Sequence, residues 1–381
     1  MKQHKVLILG AGAAGAAAAR VLNASQEVEV TVIGATGEAP YNRTLVNKGV
    51  AVGLLTPEQA RVPGLDVVAD TVDGVDPDSR TVHLASGATT TFDALVVATG
   101  SAPRALPATV RGADVAGAAG LLTTLHSLQD AVRVRDRLAG RSARVVIFGA
   151  GLVAAETATL LRDRGHQITL VARTDMAGTS AFGDHVAARL RDLHERNVTT
   201  QFGRAVTEID VADDLLDITL DDSTHVLADL GIVAHGTSPS APGPWYDGVP
   251  VDDRLRSAHD SVYAAGGVAV HDDPSLGTWR IDHWADAAAQ GEHAAKSVLH
   301  DLGLDADPGA YLPRSAFTAQ VYGTTVAAVG LTGGHTTASL TSDDPLVVRH
   351  EYSGRTTGVS GVDSAIQVFE WMPRLHAEAH V

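Results

Sequence analysis

One pattern occurs twice in this chain and constrains its fold more than any other feature. A short aliphatic run from Lys5 to Leu9 leads into Gly10-Ala11-Gly12-Ala13-Ala14-Gly15, then an Ala-rich segment to about Leu22, then a β-branched run from Val28 to Ile33. The same order returns at Ala143 to Phe148, with Gly149-Ala150-Gly151-Leu152-Val153-Ala154-Ala155-Glu156, a helical pattern to about Arg164 and a run from Gln167 to Val171. The aliphatic runs read as strands covered on both faces of a parallel sheet. One glycine motif alone is a weak signal. Two copies, each inside its own strand–turn–helix–strand unit, predict an α/β fold with two Rossmann-like domains.

Such a turn serves a particular chemistry. At a helix N-terminus the first amides are unpaired and the helix dipole favours negative charge, so a pyrophosphate can sit there. The first glycine permits the turn, the second lets the ligand approach the backbone, and the third lets the helix pack on the strand. Two such cradles imply two dinucleotides, or one dinucleotide and a nucleotide-shaped partner. The economical pairing is a flavin with a nicotinamide, hydride passing between them.

The rest of the chain supports this organisation. Val72 to Phe92 and Val198 to Leu227 alternate apolar and polar residues, as small antiparallel meanders do. Buried strands are expected at Ala94 to Ala98, Gly231 to Ala234 and Ser261 to Ala265, and a helix at Ile281 to His300. Ala316 to Val329 and Leu346 to Tyr352 read as strands of a terminal lobe. The expected domains are 1–105 and 241–306 for the two parts of an FAD-binding domain, 106–240 for a nicotinamide domain, and 307–381 for a small α+β C-terminal domain.

The 45 acidic and 29 basic residues leave a formal charge of −16, which argues against nucleic acid as a partner. Lys2 and Lys5 ahead of the apolar run to Ala19 imitate a secretory leader, but regular glycines interrupt that run and a polar turn closes it. No segment reaches membrane-spanning length, and the expected location is the cytoplasm. The histidines show no metal-ligand spacing, so no metal site is expected, and His271-Asp272-Asp273 reads as a solvated loop. Arg133, Arg135, Arg137, Arg141 and Arg144 form a basic stretch that suits either a solvated helix face or an acidic docking partner.

With these motifs in order, the chain resembles the FAD-dependent pyridine-nucleotide oxidoreductases of glutathione-reductase-like fold, and more narrowly their ferredoxin and rubredoxin reductase branch. The resemblance rests on Gly10 to Gly15, on Pro40-Tyr41-Asn42-Arg43-Thr44-Leu45-Val46-Asn47-Lys48-Gly49, and on Ala98-Thr99-Gly100. It continues through Gly149 to Glu156, Val262-Tyr263-Ala264-Ala265-Gly266, the helix containing Trp284, Ala287, Gln290 and Gly291, and Phe317 to Gly330. It implies FAD contacts at Gly10, Gly12, Ala13, Ala14, Gly15, Arg43, Lys48, Ala98, Thr99, Gly100, Gly266, Gly267 and Trp284. For the nicotinamide coenzyme it implies Gly149, Gly151, Leu152, Val153, Glu156, Arg173 and Gly236. In this branch the lysine carried by Lys48 lies near the reactive edge of the flavin ring and pairs with the glutamate carried by Glu156, while Trp284 flanks the flavin. Lys48, Glu156 and Trp284 are therefore the candidate catalytic residues.

Three departures matter. The ribose-binding acid after the first unit's second strand is replaced by Ala35, with Glu38 the nearest acid in sequence, and the aspartate expected after Gly266 is Gly267. Each loss of a hydrogen bond to a charged group removes about 1.5–3 kcal/mol, so FAD is expected to be weakly held. In the second unit the third glycine is Ala154, and the acid for the NADH ribose is replaced by Ala172 and Arg173. An arginine there suits the 2′-phosphate of NADPH over NADH.

The chain has no cysteine. This removes disulfide and thiol chemistry next to a flavin, so electrons must pass directly from flavin to acceptor. The expectation is an NAD(P)H-dependent flavoprotein reductase serving an acidic ferredoxin or similar electron carrier. The alternatives are a flavoenzyme acting directly on a small-molecule substrate and a scaffold that has lost FAD and redox activity.

Overall fold

The computed structural model describes residues 3–377; Lys2 lies outside them. The chain divides into two compact units. The first comprises the residues up to Asn42, Arg61–Ala102 and Thr237–Ser315; the second comprises Arg43–Ala60, Pro103–Gly236 and the residues from Ala316 onward.

The first unit is built on a five-stranded parallel sheet in the order Val262–Ala264, Ala94–Val97, His4–Leu9, Val28–Gly34, Val68–Ala69. Val6, Leu7, Ile8 and Leu9 are fully enclosed, which is why these four positions are all aliphatic, while His4 and Lys5 stand at the less buried start of the strand. The helix Ala13–Leu22 follows the glycine turn and packs on the helix Trp284–Asp301. Small residues let the helices approach: a Cβ on Gly291 would run into the carbonyl of Ala14. The segment Val72–Asp76, Thr81–Leu84, Thr89–Thr91 is the expected antiparallel meander.

The second unit repeats the plan. Its sheet runs Thr199–Phe202, Gln167–Ala172, Arg144–Phe148, Leu230–Val233, Leu122–Thr124, again all parallel. In both sheets the strand that enters the glycine turn is central, and the chain crosses to either side of it. That is the topological switch point, where open α/β sheets bind ligands beyond the strand ends. The stretch expected as one meander from Val198 is in fact two elements. Thr199–Phe202 joins the parallel sheet, and only Val206–Ala212, Leu215–Leu220 and His225–Ala228 form the meander.

The terminal lobe is a five-stranded antiparallel sheet, Ala316–Val321, Thr324–Gly330, Arg355–Val362, Leu346–Tyr352, Thr337–Asp343. The helix Thr179–Asn197, which has no clear signal in the sequence, covers one face with Phe182, Val186 and Leu190. Ala155, one residue before Glu156, belongs to the same core cluster. The lobe is thus packed into the second unit.

Candidate functional site

Both glycine turns have the geometry that phosphate binding requires. Gly10 and Gly149 have φ of 103° and 121°, conformations that L side chains rarely adopt. A Cβ on Gly10 would enter the carbonyl of Ala98, and one on Gly149 the carbonyl of Ala234. By contrast, a Cβ on Gly12 or Gly151 would meet nothing within 4 Å. These two residues are the N-caps of Ala13–Leu22 and Leu152–Arg162, and neither helix has a side-chain cap. The first amides of each helix therefore lack a side-chain cap, and a side chain added at the N-cap would meet open space, an arrangement that fits a phosphate.

In the first unit the hydroxyl of Thr99 is buried and finds no hydrogen-bond partner among the described residues. A buried orphan hydroxyl beside an open cradle fits an absent polar ligand. Gly266 is held from behind: its amide donates to Oε1 of Gln290 at 2.7 Å, and Gln290 Nε2 donates to Asp286 at 2.6 Å. Burial pushes the Asp286 carboxyl up, and Tyr311 donates to it at 2.9 Å. Trp284, half-buried, begins the helix that carries Asp286 and Gln290. These residues fit FAD at its pyrophosphate. At the adenosine ribose position Ala35 offers no acceptor, and Glu38 is occupied by an ion pair with Arg61 at 3.0 Å. His271, expected in a solvated loop, is instead a buried residue of the strand Ala269–Asp273, stacked on Trp279 at 3.6 Å. No group of metal-ligating side chains occurs among the described residues.

The second unit brings Lys48 and Glu156 together. Lys48 sits in a π-helical turn, Val46–Val50, a geometry frequent at functional sites, whereas Glu156 lies one turn into the helix behind the second glycine turn. Their ion pair measures 2.8 Å, and Lys48 Nζ also lies 3.5 Å from the Thr318 carbonyl. The carboxylate is 9% exposed and the lysine 37%. Burial pushes the Glu156 carboxyl up, while Lys48, Asn47 and the Gln320 amide act the other way. Lys48 is thus a partly exposed cation held in place by a buried acid. Thr318 and Gln320 contribute only backbone groups, so no side-chain signal in the sequence marked them.

Other candidates lie around the second cradle. Leu152 and Val153 open the helix, and Ala154 is fully buried where the third glycine would pack. Arg173 is exposed just after the strand Gln167–Ala172 and close enough to His235 to lower its pKa, after burial. Gly236, with φ of 79°, follows. Arg43 contacts the ring of His126. The basic stretch is largely neutralised in place: Arg133, Arg135, Arg137 and Arg144 pair with Asp130, Asp136, Asp214 and Asp229.

The chain belongs to the pyridine nucleotide-disulphide oxidoreductase family, which it matches over residues 4–291. Within that family it falls in the ferredoxin reductase branch. It is 30% identical over 323 residues to the ferredoxin–NAD(+) reductase component of a p-cumate 2,3-dioxygenase system from Pseudomonas putida, covering 78% of this chain and 75% of that protein. To the ferredoxin reductase component of a chlorobenzene dioxygenase from Cupriavidus sp. (strain PS12) it is 30% identical over 312 residues, covering 77% and 74%. In fold it resembles the solved covalent putidaredoxin reductase–putidaredoxin complex, with TM-score 0.86, 22% identity and coverage of 98% and 93%. It is also similar in fold to an engineered water-forming NADPH oxidase bound to NADPH, with TM-score 0.79, 21% identity and coverage of 97% and 91%. Among the described residues no helix is long and apolar enough to cross a membrane.

Proposed function

We infer that this chain is an FAD-dependent reductase that takes hydride from NADPH and passes electrons to a small redox protein; its relatives in dioxygenase systems are ferredoxin reductases, several of them of the NAD(+) type. The observation that carries the reading is the Lys48–Glu156 pair, formed between the π-turn and the helix of the second cradle in a chain with no thiol.

Each residue has a task. Gly10, Gly12 and Gly15 with the first amides of Ala13–Leu22 would hold the FAD pyrophosphate, with Thr99 supplying a hydroxyl. Gly149, Gly151 and the amides behind them would hold the coenzyme pyrophosphate. Bound FAD supplies an acceptor for two electrons that can release them singly. Lys48 provides a fixed positive charge where negative charge develops, and Glu156 keeps the ammonium charged and oriented. Trp284 would flank the bound flavin, as the resemblance implies. The acidic character of the carrier is part of the same proposal, and the basic stretch with Arg141 is the surface that would face it.

The coenzyme preference has separate support. The substitutions of the engineered NADPH oxidase include a glycine-to-alanine change and, eighteen positions later, an aspartate-to-alanine change followed at once by alanine-to-arginine. Ala154, Ala172 and Arg173 here have the same spacing and the same final residues.

The test is direct. Purified protein supplemented with FAD should show flavin absorbance that NADPH bleaches under anaerobic conditions, and an acidic ferredoxin should stimulate NADPH oxidation. Turnover of an organic substrate without a carrier would favour direct action on a small molecule. A colourless protein that ignores FAD would overturn the reading.

A further inference from the structure

The second unit contains a cavity of about 590 Å³, and none of the residues assigned above to either cofactor lines it. Its size falls within the roughly 300–1,000 Å³ typical of small-molecule sites. Three segments meet there: the residues just after the turn Val46–Val50, the end of the helix Leu128–Leu138, and the end of the helix Leu152–Arg162. Ser142 belongs to the wall, and the strand Arg144–Phe148 begins two residues later and runs to Gly149. A strand of 5 residues spans about 17 Å, so the cavity and the coenzyme cradle stand at opposite ends of the sheet.

The wall has two characters. Val52, Leu138 and Leu161 are buried and apolar. Arg135, Arg141, Arg164 and His166 supply the polar part. Arg164 donates from Nε to the Val52 carbonyl at 2.7 Å and from Nη1 to the Leu160 carbonyl at 3.1 Å. Arg141 donates from Nε to the Arg137 carbonyl at 3.2 Å. These bonds fix the guanidinium groups, and because a carbonyl is only a dipole they leave the charge in place. His166 accepts at Nδ1 from the Ala143 amide at 3.3 Å, so the neutral ring carries its proton on Nε2 and is a donor there. Burial, then Arg164 and Arg141, hold its pKa below the ordinary 6.5, which marks both arginines as its neighbours. Arg135 is offset by Asp136 at 2.9 Å, and the two helix ends bring about −0.5 charge each. Set against Arg141 and Arg164, this leaves roughly one positive charge.

We propose that this cavity binds a small organic anion: an apolar body carrying one carboxylate, sulfonate or phosphate group. The buried leucines and Val52 take the body, while Arg141, Arg164 and the His166 donor take the head, through the charge-assisted bonds that are the stronger kind. A bare inorganic anion would leave the apolar wall without a partner, and an uncharged molecule would leave the positive charge unmatched. Two of the arginines come from the basic stretch, so that stretch has a recess as well as an outer surface. The proposal stands apart from the flavoprotein reading, since no residue of either glycine turn takes part.

The probe is anilinonaphthalene sulfonate, whose fluorescence rises in an apolar site, compared with phenylnaphthylamine, the same ring system without the sulfonate. Both are titrated into the full-length protein with excess FAD and NADP+ present to compete at the glycine turns. The sulfonate dye should bind, and the uncharged dye should bind about tenfold more weakly, the difference expected for one charge-assisted hydrogen bond. Arg141→Gln combined with Arg164→Gln should bring the sulfonate dye down to the level of the uncharged one. Ala139→Phe, at an exposed position of the wall, should weaken both dyes by filling the space. Cooperative thermal unfolding establishes that each variant is folded, and Ala139→Phe decides the matter should loss of the Arg164 bonds unfold the arginine variant. Undiminished dye binding in folded Ala139→Phe, equal affinity for the two dyes, or no binding of the sulfonate dye would each overturn the proposal.

Discussion

Replacing Lys48 by alanine removes the cation from a carboxylate that the fold has nearly enclosed. An exposed ion pair contributes about 0–1 kcal/mol, whereas breaking a fully buried one costs about 3–5 kcal/mol. With Glu156 9% exposed and Lys48 37%, this pair falls between the two. The expected cost at neutral pH is about 2 kcal/mol, or a melting shift of about 4–8 °C for a unit of this size. The pH dependence is more diagnostic. Burial, the largest influence on Glu156, raises its pKa above the ordinary 4.5, and Lys48 is the main opposing influence. An acid with a raised native pKa contributes stability below its unfolded value and loses it as pH rises through the native one. Without Lys48 that native pKa climbs further. The deficit of Lys48→Ala should therefore be small below pH 4.5 and grow toward neutrality. Adding Glu156→Gln should abolish the growth. Urea unfolding of the three proteins from acid to neutral pH measures this, and a deficit that is flat with pH or largest in acid would refute the reasoning.

Further outcomes follow from other sites. In stopped-flow reduction by NADPH, Lys48→Ala should slow flavin reduction more than it weakens coenzyme binding; the reverse would remove Lys48 from the assigned role. Gly12→Ala should leave the melting temperature unchanged yet weaken FAD binding, because its Cβ points into open space. Gly15→Ala should cost about 1–3 kcal/mol or more by overpacking against the Gly10 carbonyl, read as a lowered melting temperature. Arg173→Ala with Ala172→Asp should move the preference from NADPH toward NADH, measured as the ratio of kcat/KM values. Burial lowers the pKa of His194, His271 and His350 to about 4 each, so their stabilisation is present above pH 6.5 and lost as pH falls toward 4. A urea midpoint unchanged between pH 6.5 and 4 would contradict their burial as neutral rings.

How much of this was legible without coordinates depended on the range of the interactions involved. The two cradles are local. A strand buried on both faces must be apolar, a turn with φ above 100° pressed on a carbonyl must be glycine, and a helix packed against its own strand carries small residues near its start. His4–Leu9 with Gly10 to Gly15, and Arg144–Phe148 with Gly149 to Glu156, carry all three signatures within short windows. The missing cysteines, and Ala172 with Arg173, were likewise visible, since they rest on residue chemistry alone. Packing across distant segments was not. The sequence placed Lys48 and Glu156 on separate motifs, and only the resemblance suggested that they meet. Their backbone partners at Thr318 and Gln320 come from a strand that carries no mark of that role. The helix Thr179–Asn197 was hidden by its weak amphipathic pattern, and His271 looked solvated until Trp279 stacked on it. Gly267 and Asp282 show the difference most clearly. Read along the chain, the glycine is a lost acid. In the folded molecule the Asp282 side chain lies against that glycine, because side-chain chemistry is satisfied by neighbours in space and the chain order does not record who they are.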